Sequence, residues 1–175
     1  MVTIMKINVY VDMDGVQAVY GANDSVEKMS QVGYFRNRPV QQNVIDFIKL
    51  LNKDERFKVA ILSAVFDDDH SKEEKKHWLI ENGLGGVDAI FTPCGVCKAN
   101  YVKTSGLNIL IDDYTKNLIE WENQGRGFLG IKFDNGINGK NGKWKKRGGL
   151  VLRKKMSAEE MYEMIEEFSE IIKIA

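Results

Sequence analysis

Five stretches of the chain carry the hydrophobic patterns of β-strands. The first, MKINVYVDMD, alternates apolar and polar positions, with Ile7, Val9 and Val11 on one face. FKVAILSA and LNILIDD are nearly continuous apolar runs, which are typical of strands buried on both faces of a sheet. VDAIFT and GFLGIKF are shorter apolar runs, and they predict two further strands.

Helical spacing of apolar residues marks four other stretches. QQNVIDFIKLLN follows a boundary at Pro39, and TKNLIEWENQG follows the predicted fourth strand. SKEEKKHWLIENG begins with a predicted capping box, Ser71 and Glu74. SAEEMYEMIEEFSEIIK begins with a second box, Ser157 and Glu160. The buried stripe predicted for this last helix consists of Met161, Met164, Phe168 and Ile171.

The alternation of strands and helices predicts an α/β fold, in which helices cover both faces of a mainly parallel sheet. Crossovers in such sheets are right-handed, so we expect the strands to point the same way. The 175 residues, 43% of them hydrophobic, are enough to bury the core of one domain, and we interpret residues 1–175 as a single unit.

The composition of the chain excludes some classes of binding partner and indicates a cellular compartment. Lys plus Arg and Asp plus Glu number 25 each, so the net charge of zero predicts no polyanionic partner. No apolar run could span a bilayer, and the N-terminus lacks the features of a signal peptide, which predicts a cytoplasmic protein without a membrane partner. Cys94 and Cys97 form a C-x-x-C with no second pair, so we interpret them as reduced thiols rather than a zinc site.

Carboxylates follow two of the predicted strands. Asp12 and Asp14 end the first strand, and Asp112 and Asp113 end the fourth. The carboxyl ends of parallel strands share one edge of the sheet, where ligands bind. We therefore expect all four side chains to lie close together, although they are about a hundred positions apart in the chain.

Four clustered carboxylates repel one another unless a cation neutralises them. Oxygen ligands suit Mg²⁺, which shares its coordination shell with substrate phosphates, and a carboxylate can itself be a nucleophile. A hydroxyl and an ammonium would complete a phosphate clamp. Ser63, at the end of the second strand, supplies the hydroxyl, and Lys98 or Lys103 supplies the ammonium, with Lys98 preferred. This pattern predicts phosphoryl transfer.

These strand-end motifs resemble the four motifs of the haloacid dehalogenase (HAD) superfamily. DMDGV, ILSA, Lys98 and LIDD carry the resemblance, which spans about residues 6–133. VDMDGV, EEKKHWL and LIDD are similar to the 5′(3′)-deoxyribonucleotidase branch. The resemblance implies a Rossmann-like three-layer sandwich and a hydrolase, a Mg²⁺-dependent phosphatase that acts through an aspartyl-phosphate. Its implied substrate is a small phosphorylated molecule, a nucleoside monophosphate by preference.

The resemblance also implies roles for individual residues. Asp12 would be the nucleophile and Asp14 the general acid and base. Ser63, its neighbour Ala64, and Lys98 would bind the phosphate. The metal ligands would be Asp12, the backbone carbonyl of Asp14, and one of Asp112 or Asp113.

Two departures from the family pattern bear on the substrate. Only residues 16–40 are available for the cap that normally follows the first motif, which predicts a small lid. The segment DDYTKN also lacks the Arg expected in the nucleotidase branch after the paired acids. Side chains that would line the entrance are Tyr34, Phe35, Arg36 and Arg38.

Other functions fit parts of the pattern. A shortened cap would also suit a phosphatase acting on a sugar phosphate, or on a nucleic-acid end, which is the less favoured partner. A receiver-like phosphoacceptor domain would place its aspartate at the end of the third strand, where IFTPCG has none. A silenced, binding-only domain is disfavoured by the intact motifs.

The segment 134–149 is basic and rich in glycine, and it has two interpretations. It is either a surface hairpin or a loop that captures a nucleotide on an exposed Trp144. The cations of the second interpretation are Lys140, Lys143, Lys145, Lys146 and Arg147.

Overall fold

The centre of the molecule is a six-stranded sheet, and all of its strands are parallel. The computed structural model describes residues 6–21, 23–103, 105–138, 144 and 146–174, without the side chains of residues 172–174. The strand order is β3-β2-β1-β4-β5-β6. The strands are β1 (Ile7–Val11), β2 (Phe57–Val65), β3 (Asp88–Pro93), β4 (Asn108–Asp112), β5 (Phe128–Asp134) and β6 (Val151–Arg153). This confirms the predicted α/β class and the common strand direction.

Helices cover both faces of the sheet and make it the middle of three layers. They are α1 (Val26–Met29), α2 (Gln42–Lys53), α3 (Ser71–Glu81), α4 (Thr115–Glu122) and α5 (Ala158–Ile174), with a 3-10 helix at Lys98–Tyr101. Residues of α2, α3 and α5 bury one sheet face in a large apolar core. A second core, which includes Leu118 and Trp121 of α4, covers the opposite face. No helix in the described part of the chain is long and apolar enough to cross a membrane.

Strand β1 lies where the strand order reverses. Its Val11 is in register with Ile61 of β2 on one side and with Ile111 of β4 on the other. Such a reversal leaves a crevice beyond the carboxyl ends of the strands, because the connections on either side lead away to opposite faces. The residues that follow Val11 therefore enter that crevice.

Strand β6 was not predicted from the sequence. It contains only Val151–Arg153, and Val151 lies in register with Lys132 of β5. Three residues are too few to show an alternating pattern, so this strand is defined by its pairing with β5 and not by its own sequence.

The prediction that Trp144 is exposed was wrong. Only 1% of this residue is accessible, and it belongs to the second apolar core with Leu118. Its indole Nε1 donates to the Leu150 carbonyl at 3.0 Å. Its ring lies so close to Gly130 that a Cβ there would come within 2.9 Å of it. The aromatic ring proposed for nucleotide capture is therefore buried in the apolar core and is not exposed to a ligand.

The cations around this tryptophan are only partly described. Lys140, Lys143 and Lys145 lie outside the described residues. Arg147 is described, and it pairs with Glu122 at 3.0 Å. Lys146 is described and exposed. The capture interpretation thus keeps Lys146 and the three lysines outside the described residues.

Replacing Trp144 with alanine should destabilise the fold. The loss of a fully buried indole leaves a cavity, and such changes cost about 3–5 kcal/mol of unfolding free energy. Urea denaturation of Trp144→Ala beside the exposed neighbour Arg147→Ala would measure this cost. A stability equal to that of the control would contradict the burial.

Helix α3 begins differently from the prediction, because Ser71 and Glu74 do not form a capping box. Asp68 Oδ1 accepts hydrogen bonds from the backbone N–H groups of His70 and Ser71, at 3.1 and 2.7 Å. Glu74 instead accepts from the backbone N–H groups of Gly33 and Phe35. This carboxylate consequently ties the segment 16–40 to α3.

Helix α5 largely follows its prediction. Ser157 and Glu160 form the expected capping box, with bonds of 2.7 and 3.1 Å. Met161 is fully buried, but Ile171 is 66% exposed and Ile165 is buried in the core. The buried stripe therefore differs from the predicted one toward the C-terminal end of the helix.

Candidate active site

Asp12 is the first residue beyond β1, and the backbone around it is held on two sides. Its N–H donates to the Ile111 carbonyl at 2.9 Å, and its carbonyl accepts from Gln17 Nε2 at 2.9 Å. The chain then turns at Gly15, which has a φ of 78°. A Cβ on Gly15 would lie 2.1 Å from Asp113 Oδ2, so glycine is required both by the turn and by this close approach.

Lys98 joins two of the carboxylates. Its Nζ lies 2.7 Å from Asp12 Oδ1 and 2.7 Å from Asp112 Oδ2, and the residue is only 5% exposed. Burial lowers the pKa of Lys98, but the Asp112 and Asp12 carboxylates outweigh this and raise it above its ordinary value. Lys103, the alternative, is exposed. Of the two candidate lysines, Lys98 is therefore the one that lies in the acidic cluster.

Asp12, Asp112 and Asp113 form a buried triad. Each offers one carboxylate oxygen, and these atoms lie within 4.8 Å of one another. Burial raises the pKa of Asp12 well above its usual range, and the neighbouring carboxylates add to this while Lys98 opposes it. Burial, followed by the charge of Asp112, raises the pKa of Asp113 to about 7. One ammonium does not neutralise three acids, so the triad could bind a metal ion.

Asp112 has both oxygens engaged by the protein. Its Oδ1 accepts from the Tyr114 N–H at 2.7 Å. Its Oδ2 accepts from Asn117 Nδ2 at 2.9 Å as well as from Lys98. This carboxylate is well suited to holding Lys98 in place.

Asp113 is engaged at only one oxygen. Its Oδ2 accepts from the side-chain amides of Asn135 and Asn138, both at 2.6 Å. No described residue donates a hydrogen bond to its Oδ1. Asp113 is therefore better placed than Asp112 to offer an oxygen to a cation.

Asp14 and Ser63 both contact Lys75, a residue to which the sequence assigned no role. Lys75 of α3 donates from Nζ to Asp14 Oδ2, to Ser63 Oγ at 3.0 Å, and to the Ala64 carbonyl. The residue is completely buried. A signal was present in the sequence, because Lys75 precedes Trp78 by three positions and so lies on the buried face of the helix.

A cavity of about 360 Å³ opens in front of these groups. Its wall includes Asp12, Asp14, Lys98 and Asp113, and also Ala64. Ser63 is buried behind that wall, so its predicted contact with phosphate stays a prediction. Large side chains that line the cavity are Tyr20, Met29, Phe35, Phe66 and Tyr114.

The segment 16–40 forms the cover of this cavity, and Asp24 holds it together. The Asp24 carboxylate accepts from Tyr34 Oη at 2.7 Å and from Arg38 at 2.9 Å. Of the four predicted entrance residues, Phe35 lines the cavity and Arg36 pairs with Glu81 outside it. Tyr34 is buried beneath the Arg38 guanidinium, at 4.1 Å.

Comparison with known proteins supports the fold. No family model matches the chain, and no curated protein matches it. A chain of the Pnkp1/Rnl/Hen1 complex has a similar structure, with a TM-score of 0.56 and 13% sequence identity. The match covers 75% of this chain and 47% of that one, so this chain spans about half the length of its structural neighbour. The likeness and the strand order together identify a Rossmann-like α/β sandwich. In this chain the buried acidic cluster lies at the switch point of that sheet.

Proposed function

We propose that this protein is a Mg²⁺-dependent phosphomonoesterase of the HAD type. The observation that carries the proposal is the triad of buried carboxylates, joined to Lys98, at the switch point of a parallel sheet. The same cavity wall contains Asp14, which supplies a further carboxylate near the triad. The motif resemblance of DMDGV and LIDD supports the same assignment.

In this proposal Asp12 attacks the phosphorus of the substrate, and the bond from phosphorus to the ester oxygen breaks. Asp14 gives its proton to the departing alcohol. Asp14 then takes a proton from a water molecule, which attacks the aspartyl-phosphate and releases inorganic phosphate and free Asp12. Lys98 uses two of its three N–H groups on Asp12 and Asp112, which leaves one for a phosphate oxygen.

The carboxylates fit a magnesium ion. Asp12 and Asp113 would hold it with the backbone carbonyl of Asp14, because both oxygens of Asp112 are engaged elsewhere. When bound, the ion would neutralise charge on the carboxylates and on the phosphate. Ser63 and Ala64 remain our proposed phosphate-binding residues.

We propose a nucleoside monophosphate as the substrate. Phe35, Phe66 and Tyr20 line the cavity, and aromatic faces stack on nucleobases. A sugar phosphate offers no such stacking surface. A nucleic-acid end would have to pass the cover formed by residues 16–40.

The first test is phosphate release from p-nitrophenyl phosphate, followed by a panel of nucleoside monophosphates, sugar phosphates and 3′- or 5′-phosphorylated oligonucleotides. We expect nucleoside monophosphates to give the highest kcat/KM in that panel. Preference for sugar phosphates or oligonucleotides would redirect the substrate assignment. Phosphate uptake from a phosphodonor without turnover would identify a receiver-like domain instead.

Metal removal should abolish turnover. Without a divalent cation the charges of Asp12 and Asp113 would repel the phosphate dianion, so excess chelator should reduce activity to background. Mg²⁺ should restore it, whereas Ca²⁺ should inhibit, because calcium prefers more ligands and looser geometry. Initial rates across a titration of each metal would measure this, and full activity in chelator would exclude the metal from the mechanism.

A further inference from the structure

We propose that Lys75 is a positioning residue that orients the Asp14 carboxylate for proton transfer to the leaving group. The inference rests on the proposed phosphatase function and names a residue to which the resemblance assigns no role. The observation behind it is that the buried ammonium of Lys75 lies between Asp14 and the end of β2.

The hydrogen bonds of Lys75 use its full donor capacity. An ammonium has three N–H groups, and the three acceptors of Lys75 are Asp14 Oδ2, Ser63 Oγ and the Ala64 carbonyl. Lys98 differs, since it contacts two acceptors in the described structure and keeps one N–H for a ligand. Lys75 borders the same cavity as Asp14, but its three N–H groups are all bonded to the protein, so we infer that it acts through Asp14.

Asp14 needs such a partner. It lies on the turn beyond β1, where its backbone forms an isolated bridge with Ala18, and its side chain is 18% exposed. Among the described residues, Lys75 alone donates a hydrogen bond to its carboxylate. A carboxylate on one flexible side chain would otherwise sample several rotamers, and proton transfer requires a donor within hydrogen-bond reach of the leaving oxygen.

Lys75 is itself held by both the helix and the cover. The Phe35 ring lies over its ammonium, with Nζ 4.3 Å from the ring centre. The N–H of Phe35 donates to Glu74 Oε2 at 3.1 Å, and Glu74 precedes Lys75 on α3. Two adjacent residues of one helix therefore fix the cover and the acid–base group.

The experiment compares Lys75→Met with Lys76→Met, its neighbour on the same helix. Lys76 pairs with Glu73, and its side chain is 42% exposed, so its loss controls for the removal of a positive charge. Each variant is assayed with p-nitrophenyl phosphate, whose leaving group departs without a proton, and with a nucleoside 5′-monophosphate, whose alkoxide needs one. Circular dichroism and thermal unfolding establish that each variant is folded.

We expect Lys75→Met to lower kcat/KM on the nucleotide by roughly 10- to 10³-fold, within the range of general acid catalysis. This ratio reports the steps up to departure of the leaving group, and so excludes the later hydrolysis, in which Asp14 is the base for both substrates. On p-nitrophenyl phosphate kcat/KM should change less than about threefold, because no acid is needed for that leaving group. Lys76→Met should leave both values unchanged. Equal losses of kcat/KM on both substrates would overturn the inference, since a merely structural defect does not depend on the leaving group.

A double-mutant cycle with Asp14→Asn decides whether Lys75 acts through Asp14. If it does, adding Lys75→Met to Asp14→Asn should cost little further kcat on the nucleotide, whereas additive losses would overturn the inference. If Lys75→Met does not fold, Lys75→Gln takes its place in both comparisons. A wild-type protein inert toward both substrates would instead contradict the proposed function, and the inference would fall with it.

Discussion

Asp12→Asn should abolish turnover, while Asp14→Asn should slow it by roughly 10²- to 10⁴-fold. An amide at position 12 cannot attack phosphorus, so no aspartyl-phosphate forms. At position 14 the proposed metal ligand is a backbone carbonyl, which the substitution keeps, and only proton transfer is lost. Steady-state rates on a nucleoside monophosphate, together with trapping of the phosphorylated protein, would measure both effects.

Asp69→Asn is the matched control, because Asp69 is an exposed carboxylate on the loop before α3. It should retain the wild-type rate and the wild-type unfolding temperature. Equal residual activity in the two active-site variants would contradict the assignment of separate roles. Phosphorylation of the Asp12→Asn protein would show that the nucleophile is another residue.

Lys98→Met should abolish activity and also destabilise the fold. Methionine fits the space of the lysine stem but leaves Asp12 and Asp112 buried without their shared cation. Breaking a buried ion pair at one partner costs about 3–5 kcal/mol. Urea denaturation in chelator would measure this loss of unfolding free energy.

Lys103→Met, the exposed lysine of the same connection, provides the control and should be as stable as the wild type. Added Mg²⁺ should recover part of the stability of Lys98→Met, because a ligand that binds only the folded state shifts the equilibrium toward it. A variant as stable as the wild type in chelator would show that the bridge contributes nothing to folding. Recovery of activity by Mg²⁺ alone would contradict the role of Lys98 in phosphate binding.

The sequence predicted the five longer strands, their direction and the meeting of the acids. Hydrophobic periodicity is a local property, and it locates the strands. Because crossovers are right-handed, the strands run parallel, and their carboxyl ends place Asp12, Asp14, Asp112 and Asp113 at one edge of the sheet. The sequence favoured Lys98 over Lys103 only weakly, since both residues lie in the connection between β3 and β4. The contact of Lys98 with Asp12 depends on how the 3-10 helix packs against β3 and α4.

The failed prediction at Trp144 and the overlooked Lys75 concern residues whose environment is set by distant parts of the chain. Trp144 lies among glycines and lysines, so its neighbours in sequence gave no sign that Gly130 and Leu118 enclose it. Lys75 carries a charge that ordinarily stays in water, and its burial depends on acceptors at Asp14 and Ser63.

Glu74 shows the same limitation on a smaller scale. The spacing from Ser71 to Glu74 is that of a capping box, and the same spacing at Ser157 and Glu160 does form one. In α3, Asp68 accepts the hydrogen bonds of the N–H groups at the start of the helix. Glu74 accepts hydrogen bonds from the backbone N–H groups of Gly33 and Phe35 instead. A local pattern cannot reveal such competitors.

The central position of β1 has a consequence for amide hydrogen exchange. Its backbone is bonded to β2 and β4, so those amides exchange only when the sheet itself opens, at a free energy close to that of global unfolding. Residues 16–18 of the cover are buried in the domain, and Gln17 bonds to the Asp12 carbonyl. Residues 23–38, in contrast, are joined to the domain largely through Glu74, Trp78 and Glu81 of α3, and they can open at lower cost. Asp12 is thus anchored in the slowest-exchanging part of the molecule, while the outer part of the cover opens without breaking its bond to Gln17.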